Sequence, residues 1–191
     1  MISRKAFWSI ALAVAVVGVG AGMLVANVFA PQPSAHAAWK DVFEAPSQLA
    51  RGVDSIVLAK AVGVEPGRVA YSSDGKDFLS YQVHEFEVIR GVKGAQTGER
   101  VFVERAGGPG IVLDVDGGEF EMGATYLLFL NKQDDGPYHF QVNHQGRYLV
   151  SGNRLYGIDP NDSVSEFFEG KPVSEGLSLV RGYLREGPQQ N

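Results

Sequence analysis

Four carboxylates lie close together near the middle of the 191-residue chain, at Asp114, Asp116, Glu119 and Glu121. Calcium takes roughly six to eight oxygen ligands, and an EF-hand loop supplies them at fixed spacings around a glycine and a final glutamate. This segment lacks that spacing, and the two glycines that follow Asp116 are a signal for a tight hairpin turn. We therefore predict a hairpin with solvated carboxylates and assign no metal, cofactor or catalytic residue. A cation-binding module at these four residues is an alternative hypothesis.

The histidines are a second candidate for metal chemistry. His139 and His144 are five residues apart, so they face opposite sides if they share a continuous strand. Neither a His-x-His nor a His-Glu-x-x-His spacing is present, and His84 is far away in the sequence. Because a zinc site needs roughly three or four protein ligands, we expect these side chains to be ordinary, half-exposed imidazoles.

Motifs of nucleophilic and phosphate chemistry are missing from the sequence. There is no Gly-x-Ser-x-Gly elbow, there are no cysteines, and no Gly-Lys pair is followed by Ser or Thr. Glu85 and Glu87 share a strand face and could act as an acid and base pair, although a solvated rim is the preferred interpretation. An enzyme is therefore an alternative hypothesis, a hydrolase whose scattered carboxylates are brought together by the fold.

Aromatic residues are the strongest candidates for binding. Barrels that bind ligands present aromatic side chains on an outer strand face, whereas aromatic residues in strands first of all form cores and cross-strand pairs. We favour the core and keep the binding face open as the alternative. The group comprises Tyr71, Tyr81, Phe86, Tyr126, Tyr138, Phe140, Tyr148 and Tyr156.

The composition excludes some classes of protein. A net charge of −5 opposes the binding of phosphate backbones, so we predict no nucleic-acid partner. Hydrophobic residues make up 45% of the chain, which is enough for a packed core. The 24 glycines show no triplet repeat and therefore indicate many turns between short strands.

The N-terminus carries a long apolar segment. Residues 7–30 contain no charge, and as a helix they would span about 36 Å, enough to cross a bilayer core of about 30 Å. Arg4 and Lys5 would keep the preceding end in the cytoplasm. Two interpretations stay open: an uncleaved single-pass anchor, which the length favours, or a signal peptide cleaved after Ala37. Either one places the folded part outside the cytoplasm, on the cell membrane or secreted.

Beyond this segment, the pattern predicts a linker over residues 31–48 and one domain over residues 49–191. Ser47 is a plausible N-cap of a short helix at the end of the linker. From residue 55 to residue 158 about eight short strands alternate with turns, the pattern of a small barrel or sandwich. We expect the first strand to stop at residues 65–67, and a bulge or a bend near His84 and Glu85, where the alternation changes face.

The end of the domain is predicted to be helical. Ser163 and Glu166 have the spacing of a capping box. Downstream of them, an apolar stripe at helical spacing would dock on the sheet. The stripe consists of Val173, Leu177, Val180 and Leu184.

Several stretches resemble a known kind of domain. They are DSIVLAKAV at 54–62, FEVIRGVKG at 86–94, MGATYLLFL at 122–130 and QGRYLV at 145–150. Together they resemble an uncharacterised family of bacterial exported or membrane-anchored proteins over residues 50–185. Ala124 stands where that family usually has an acidic residue. The resemblance implies a mainly β fold, a small antiparallel barrel of the OB-like or netrin-like kind with a C-terminal helix, and it supplies no catalytic residues.

These observations together favour a non-enzymatic function. Chemistry-bearing motifs are missing, and a compact barrel follows an export or anchor segment. We therefore expect an extracytoplasmic domain that binds a protein or cell-envelope component, with the membrane as a further partner through the N-terminal helix.

Overall fold

A computed structural model of the chain describes residues 42–71, 78–107, 119–134, 136–159 and 161–186. The predicted anchor, the cleavage site after Ala37, one of the predicted short strands (residues 111–115) and the carboxylates Asp114 and Asp116 lie outside the described residues. Within those ranges no helix has both the length and the apolar character needed to span a bilayer. The anchor or signal segment therefore stays a prediction.

The described part of the chain consists of seven strands, three α-helices and one 3₁₀ turn. Two of the strands are long, so the expectation of uniformly short strands is wrong for the first hairpin. In chain order the elements are α1 (Pro46–Gly52), β1 (Ser55–Tyr71), β2 (Phe78–Lys93), β3 (Arg100–Ala106), β4 (Thr125–Lys132), β5 (Tyr138–Gln141), the 3₁₀ turn (His144–Gly146), β6 (Arg147–Ser151), β7 (Arg154–Gly157), α2 (Ser163–Phe168) and α3 (Val173–Arg185).

Five of the strands pair in a closed ring. β1 pairs with β2, β2 with β3, β3 with β5, β5 with β4, and β4 again with β1. β6 adds to β4 and β7 adds to β6. The predicted mainly β fold with a C-terminal helix is confirmed, but the strands are not all antiparallel, because β3 and β5 run parallel.

Two hydrophobic cores lie on the two faces of β4, which is buried on both sides as its uninterrupted apolar sequence predicts. Tyr126, Leu128 and Leu130 belong to a core shared with β1, β2 and β3, which we call the ring core. Leu127 and Phe129 belong to a core shared with the three helices, which we call the helix core. Both cores therefore depend on the alternation of side chains along one central strand.

The strand β1 continues through the point where the sequence predicted its end. Pro66 lacks a donor N–H and is tolerated on an edge strand, which explains why it does not stop β1 here. An irregularity does lie beside the predicted position, since the register shifts between the Ala61–Phe86 and Gly63–Glu85 pairs, but its extra residue is in β1. A second shift with its extra residue in β1 lies at Pro66/Val69, and two shifts nearer the start of β1 have their extra residue in β2. A Cβ atom at Gly67 would lie 2.9 Å from the carbonyl oxygen of Tyr81, so the second bulge needs glycine.

Both predicted helix caps are wrong by one or two positions. α1 begins at Pro46 after Ala45, and Ser47 lies inside it. α2 is capped by Asp162, whose carboxylate accepts a hydrogen bond from the backbone N–H of Ser165. The preceding aspartate outcompetes Ser163 because a carboxylate is the stronger acceptor.

The predicted apolar stripe of α3 is confirmed, since its members pack in the helix core. Upstream of α1, the chain is fixed by the buried amide of Gln145. Its Oε1 accepts from the backbone N–H of Phe43 at 2.9 Å, and its Nε2 donates to the Phe43 carbonyl at 2.9 Å. Phe43 thus already packs against the domain, within the range predicted as linker.

Candidate functional site: the β1–β2 arm

The outer halves of β1 and β2 form a two-stranded ribbon, residues 62–71 and 78–84, which we call the arm. It concentrates exposed apolar side chains: Val64 is 49% exposed, Val69 46%, Tyr71 70% and Phe78 60%. By contrast, the inner half of β1 is almost entirely buried. Contiguous exposed apolar residues typically mark an interaction surface.

The arm has two distinct faces, which the strand register defines. Val64, Pro66, Val69 and Tyr71 lie opposite alternate residues of β2, from His84 to Phe78, so they share one face. The Pro66/Val69 bulge makes this possible, because its extra residue inverts the alternation of β1. We call this side the apolar face.

A groove of about 300 Å³ lies along the arm. It is lined on β1 by residues 64–67 and Val69, and on β2 by Ser80, Tyr81 and Gln82. Most of the lining is apolar side chain and backbone, with few groups suited to catalysis. Such a groove suits an extended apolar segment better than a small polar substrate.

One edge of the arm has no backbone partner in the described ranges. The β1–β4 pairing ends at Lys60, and the last backbone hydrogen bonds on that side join Ala61 to Gly123 and Ala124. From residue 62 onward β1 pairs only with β2 in the part of the chain that the structure describes. Edge strands present unpaired donors and acceptors to other strands.

A buried polar cluster fixes the base of the arm to β3. Glu104 is 2% exposed, and its Oε2 accepts from Arg68 Nη2 at 3.0 Å and from Gln133 Nε2 at 2.7 Å. Arg68 also donates to Gln133 Oε1 at 3.1 Å and lies over the ring of Tyr81, 5.2 Å from its centroid. These contacts occupy the face opposite to the apolar face and hold the arm in one orientation.

His84 lies where the arm joins the ring core. It is 3% exposed, its ring packs 5.0 Å from that of Phe120, and neither ring nitrogen has a hydrogen-bond partner among the described residues. Burial, reinforced by the charges of Arg105 and Arg147, lowers its pKa to about 4. The imidazole is therefore neutral at pH 7, and the prediction of a half-exposed histidine is wrong for His84.

The other two histidines are half-buried, as expected, and belong to separate surroundings. His139 Nε2 lies 3.4 Å from Ser55 Oγ, whereas His144 Nε2 lies 3.6 Å from Asp162 Oδ1. Burial lowers the pKa of His139. Across the described ranges, no three potential metal ligands cluster together.

The predicted carboxylate candidates do not meet at one place in the described ranges. Glu119 and Glu121 are exposed, while their predicted companions Asp114 and Asp116 lie outside the described residues. Glu85 Oε1 accepts a hydrogen bond from Arg100 Nη1 at 2.7 Å, and Glu87, also on β2, is exposed. This is the arrangement of a solvated rim.

The aromatic group divides between core and surface. Phe86, Tyr126 and Tyr148 are buried, in agreement with the favoured interpretation. Tyr81 and Tyr138 are half-buried. The remaining three are exposed, and of these Tyr71 lies on the arm, whereas Phe140 and Tyr156 lie on β5 and β7.

Sequence reasoning missed the arm as a unit, as well as the Arg68–Glu104 pair. The available signal was a set of apolar residues on both sides of the Asp74-Gly75 sequence, namely Val64, Val69, Tyr71 and Phe78. This pattern is equally typical of a buried hairpin, and the sequence does not show that β4 stops pairing with β1 before these residues. No family model and no curated protein matches this chain.

Proposed function

We propose that residues 49–191 form a small barrel of the OB-like or netrin-like kind that acts outside the cytoplasm. It binds a protein or cell-envelope component without catalysing a reaction, and the arm is the binding surface. The N-terminal segment anchors this domain to the membrane or exports it.

The order of the strand pairings supports the barrel. An up-and-down barrel pairs its strands in chain order, whereas the ring here runs β1–β2–β3–β5–β4 and back to β1. A five-stranded Greek-key barrel of the OB kind has such a non-sequential ring. β1 is long enough to serve both the ring and the arm.

The observation that carries the binding function is the exposed apolar face of the arm beside an apolar groove. Exposing side chains such as Tyr71 and Phe78 to water is unfavourable, at roughly 25 cal/mol per Å² of apolar surface. A partner that covers them recovers this free energy. The base of the arm is anchored by Glu104, so the surface is held in place before binding.

A photo-crosslinking amino acid in place of Phe78 tests the proposal in the full chain within native cells. We expect an adduct with another protein or envelope component, identified by mass spectrometry. The matched control carries the same crosslinker in place of Tyr156, which is 39% exposed but lies on β7. Adducts of equal yield at both positions, or none at Phe78, would refute the arm as the binding surface.

The location is tested separately. We expect added protease to digest the domain in cells whose outer barriers have been opened while the inner membrane is intact. Recovery of the native domain from the cytoplasm, protected from that protease, would overturn the extracytoplasmic assignment. The intact mass of the native protein decides between an anchor and cleavage after Ala37.

A further inference from the structure

We propose that the apolar face of the arm docks on a zwitterionic lipid surface, that of the bilayer which holds the N-terminal segment. This inference rests on the proposed function and deepens it, because it names a lipid surface as the envelope component that the arm binds. The arm then lies flat on the bilayer, and its opposite face is directed to water.

The apolar face carries no charged side chain within the described part of the arm. Its members are Val64, Pro66, Val69, Tyr71, Phe78, Ser80, Gln82 and His84. The charged residues of the arm, Glu65 and Arg68, belong to the opposite face. A bilayer interface accepts aromatic and apolar groups, whereas charged side chains that face lipid are costly. The face that we assign to the bilayer is therefore the one that a bilayer tolerates.

The outer end of this face carries two aromatic rings. Tyr71 and Phe78 are the most exposed large apolar side chains of the arm, and their ring centroids lie 6.4 Å apart. Tyrosine combines an apolar ring with a polar hydroxyl and is enriched where headgroups meet acyl chains. Val69 lies on the same face and is also exposed. Together they form an apolar surface that lipid can cover without a matching shape.

The edge of β1 argues against another strand as the occupant. Pro66 has no backbone N–H, and it lines the groove in the part of β1 that β4 does not cover. Proline on an edge is one of the features that oppose the addition of a strand. The Pro66/Val69 bulge would interrupt a regular ladder at the same place. A lipid surface needs neither backbone donors nor a strand register.

The chain that precedes the domain keeps the arm within reach of the bilayer. The predicted anchor ends at Ala30, and Phe43 already packs against the domain, next to Gly52. Even fully extended, residues 31–43 span at most about 45 Å. The base of the arm lies only about 23 Å along β1 from Ser55, at about 3.3 Å per residue. An arm that lies flat keeps its tip at the same height as its base.

Quenching by lipid tests the docking in the full-length chain, which has no cysteine of its own. Val69→Cys and Ala70→Cys each carry an environment-sensitive nitrobenzoxadiazole label, and each chain is reconstituted in phosphatidylcholine nanodiscs that contain nitroxide-labelled lipid. Both sites are exposed and lie side by side on β1. They point to opposite faces, because side chains alternate along a strand. The two labels are therefore a matched pair.

We expect nitroxide lipid to quench the label at Val69→Cys about twofold or more strongly than the label at Ala70→Cys, since only the first lies on the docked face. A label at Tyr156→Cys, an exposed site on β7, should be quenched no more than that at Ala70→Cys. Equal quenching at the two arm sites, or none at either, would overturn the proposal.

The aromatic pair provides a second test in the labelled Val69→Cys chain. Adding Tyr71→Ser and Phe78→Ser should lower the ratio of docked to undocked arm by about tenfold or more, because two large apolar side chains no longer leave water. Tyr156→Ser in the same chain should leave the quenching unchanged. All three side chains are exposed, so circular dichroism should show the same fold in each variant. Equal quenching in these chains would refute the contact.

Lipid composition separates docking of an apolar face from electrostatic attraction. The chain has a net charge of −5, and the described part of the arm has no cluster of basic residues. We therefore expect phosphatidylglycerol, in place of part of the phosphatidylcholine, not to increase the quenching at Val69→Cys. Quenching that requires phosphatidylglycerol would overturn the assignment of a zwitterionic surface.

The nanodisc result and the cellular crosslinks at Phe78 fail independently. Protein adducts at Phe78 in cells, together with no quenching in nanodiscs, would refute lipid docking and leave the proposed function standing. The absence of both would refute both.

Discussion

The inner and outer halves of β1 belong to the same strand but to different environments. From Ser55 to Ala61 the strand lies between β2 and β4 and is buried with one exception, whereas from Val64 to Tyr71 most of it is exposed. Both halves contain valine and alanine, so residue type alone does not explain why Val64 and Val69 are exposed while Val57 is buried. The difference is that β4 ends its pairing with β1 at Lys60.

This contrast assigns different roles to the two halves of β1: the inner half stabilises the fold, and the outer half is available to a partner. The inner half shares two cores with β4 and the helices, so its side chains contribute to folding. The outer half has one neighbouring strand, and its apolar side chains gain little from folding alone. If the comparison is right, equivalent truncations in the two regions will have very different consequences.

The largest expected effect comes from truncating a residue of the helix core. Phe129 is fully buried, with ring centroids 5.9 Å from both Tyr148 and Phe168. We expect Phe129→Ala to lower the free energy of unfolding by about 3–5 kcal/mol, the usual cost of a large cavity. Urea unfolding followed by circular dichroism measures it. A loss below about 1 kcal/mol, the size of a typical surface effect, would contradict the description of this core.

A second effect depends on pH and concerns the junction of the two regions. Because the pKa of buried His84 is lowered to about 4, the unfolded chain binds a proton that the folded chain does not between about pH 6.5 and 4. The stability due to the neutral imidazole is complete above pH 6.5 and is lost as the pH falls through this window, by up to about 3 kcal/mol.

The measurement compares urea unfolding of the wild type and His84→Phe at pH 7.5 and pH 4.5. Phenylalanine keeps an aromatic ring beside Phe120 and removes the titrating group. We expect the variant to lose less stability on acidification, since carboxylate titration is common to both chains. Parallel losses in the two chains would show that His84 is not buried as a neutral group.

A third, smaller effect distinguishes the buried from the exposed ion pair. Glu104→Gln leaves Arg68 without its buried counter-charge, and we expect a loss of about 1–2 kcal/mol, because Arg68 is partly solvated. Glu85→Gln removes an exposed pair with Arg100 and should cost less than about 1 kcal/mol. Amide exchange in residues 62–71 should accelerate in the first variant only. Equal exchange in both would mean that Glu104 does not anchor the arm.

Local sequence patterns predicted many of the buried strands and helices, because short-range rules decide where these elements form. The apolar run of β4 and the stripe of α3 required burial on any compact fold, and both are buried. The caps at Ser47 and Ser163 failed because neighbouring residues, Pro46 and Asp162, start a helix equally well or better. Local competition of this kind shifts a boundary without changing the fold.

The arm could not be predicted in the same way. Pro66 and Gly67 indicate the end of a strand unless that strand lies at an edge, and its edge position depends on where β4 stops pairing with β1. The Arg68–Glu104 contact likewise joins residues 36 positions apart in sequence, through the β2–β3 pairing. These features arise from ring closure, a long-range property that periodicity does not encode.

The smallest expected effect on stability is also the sharpest test of the comparison. Phe78 and Tyr71 pair across the end of the arm, with ring centroids 6.4 Å apart, and both are mostly exposed. We expect the double variant Tyr71→Ser, Phe78→Ser to change the free energy of unfolding by no more than about 0.5–1 kcal/mol, since it removes a solvated aromatic pair.

The same double variant should abolish binding of the partner captured from the wild-type arm, whereas Tyr156→Ser, an exposed site on β7, should bind as the wild type does. Side-by-side unfolding and binding measurements on these chains separate folding from recognition. A stability loss as large as that of Phe129→Ala would mean that the arm belongs to the folded core. Retained binding with intact stability would mean that its exposed aromatic pair serves neither purpose, and recognition would then have to lie on the ring or the helices.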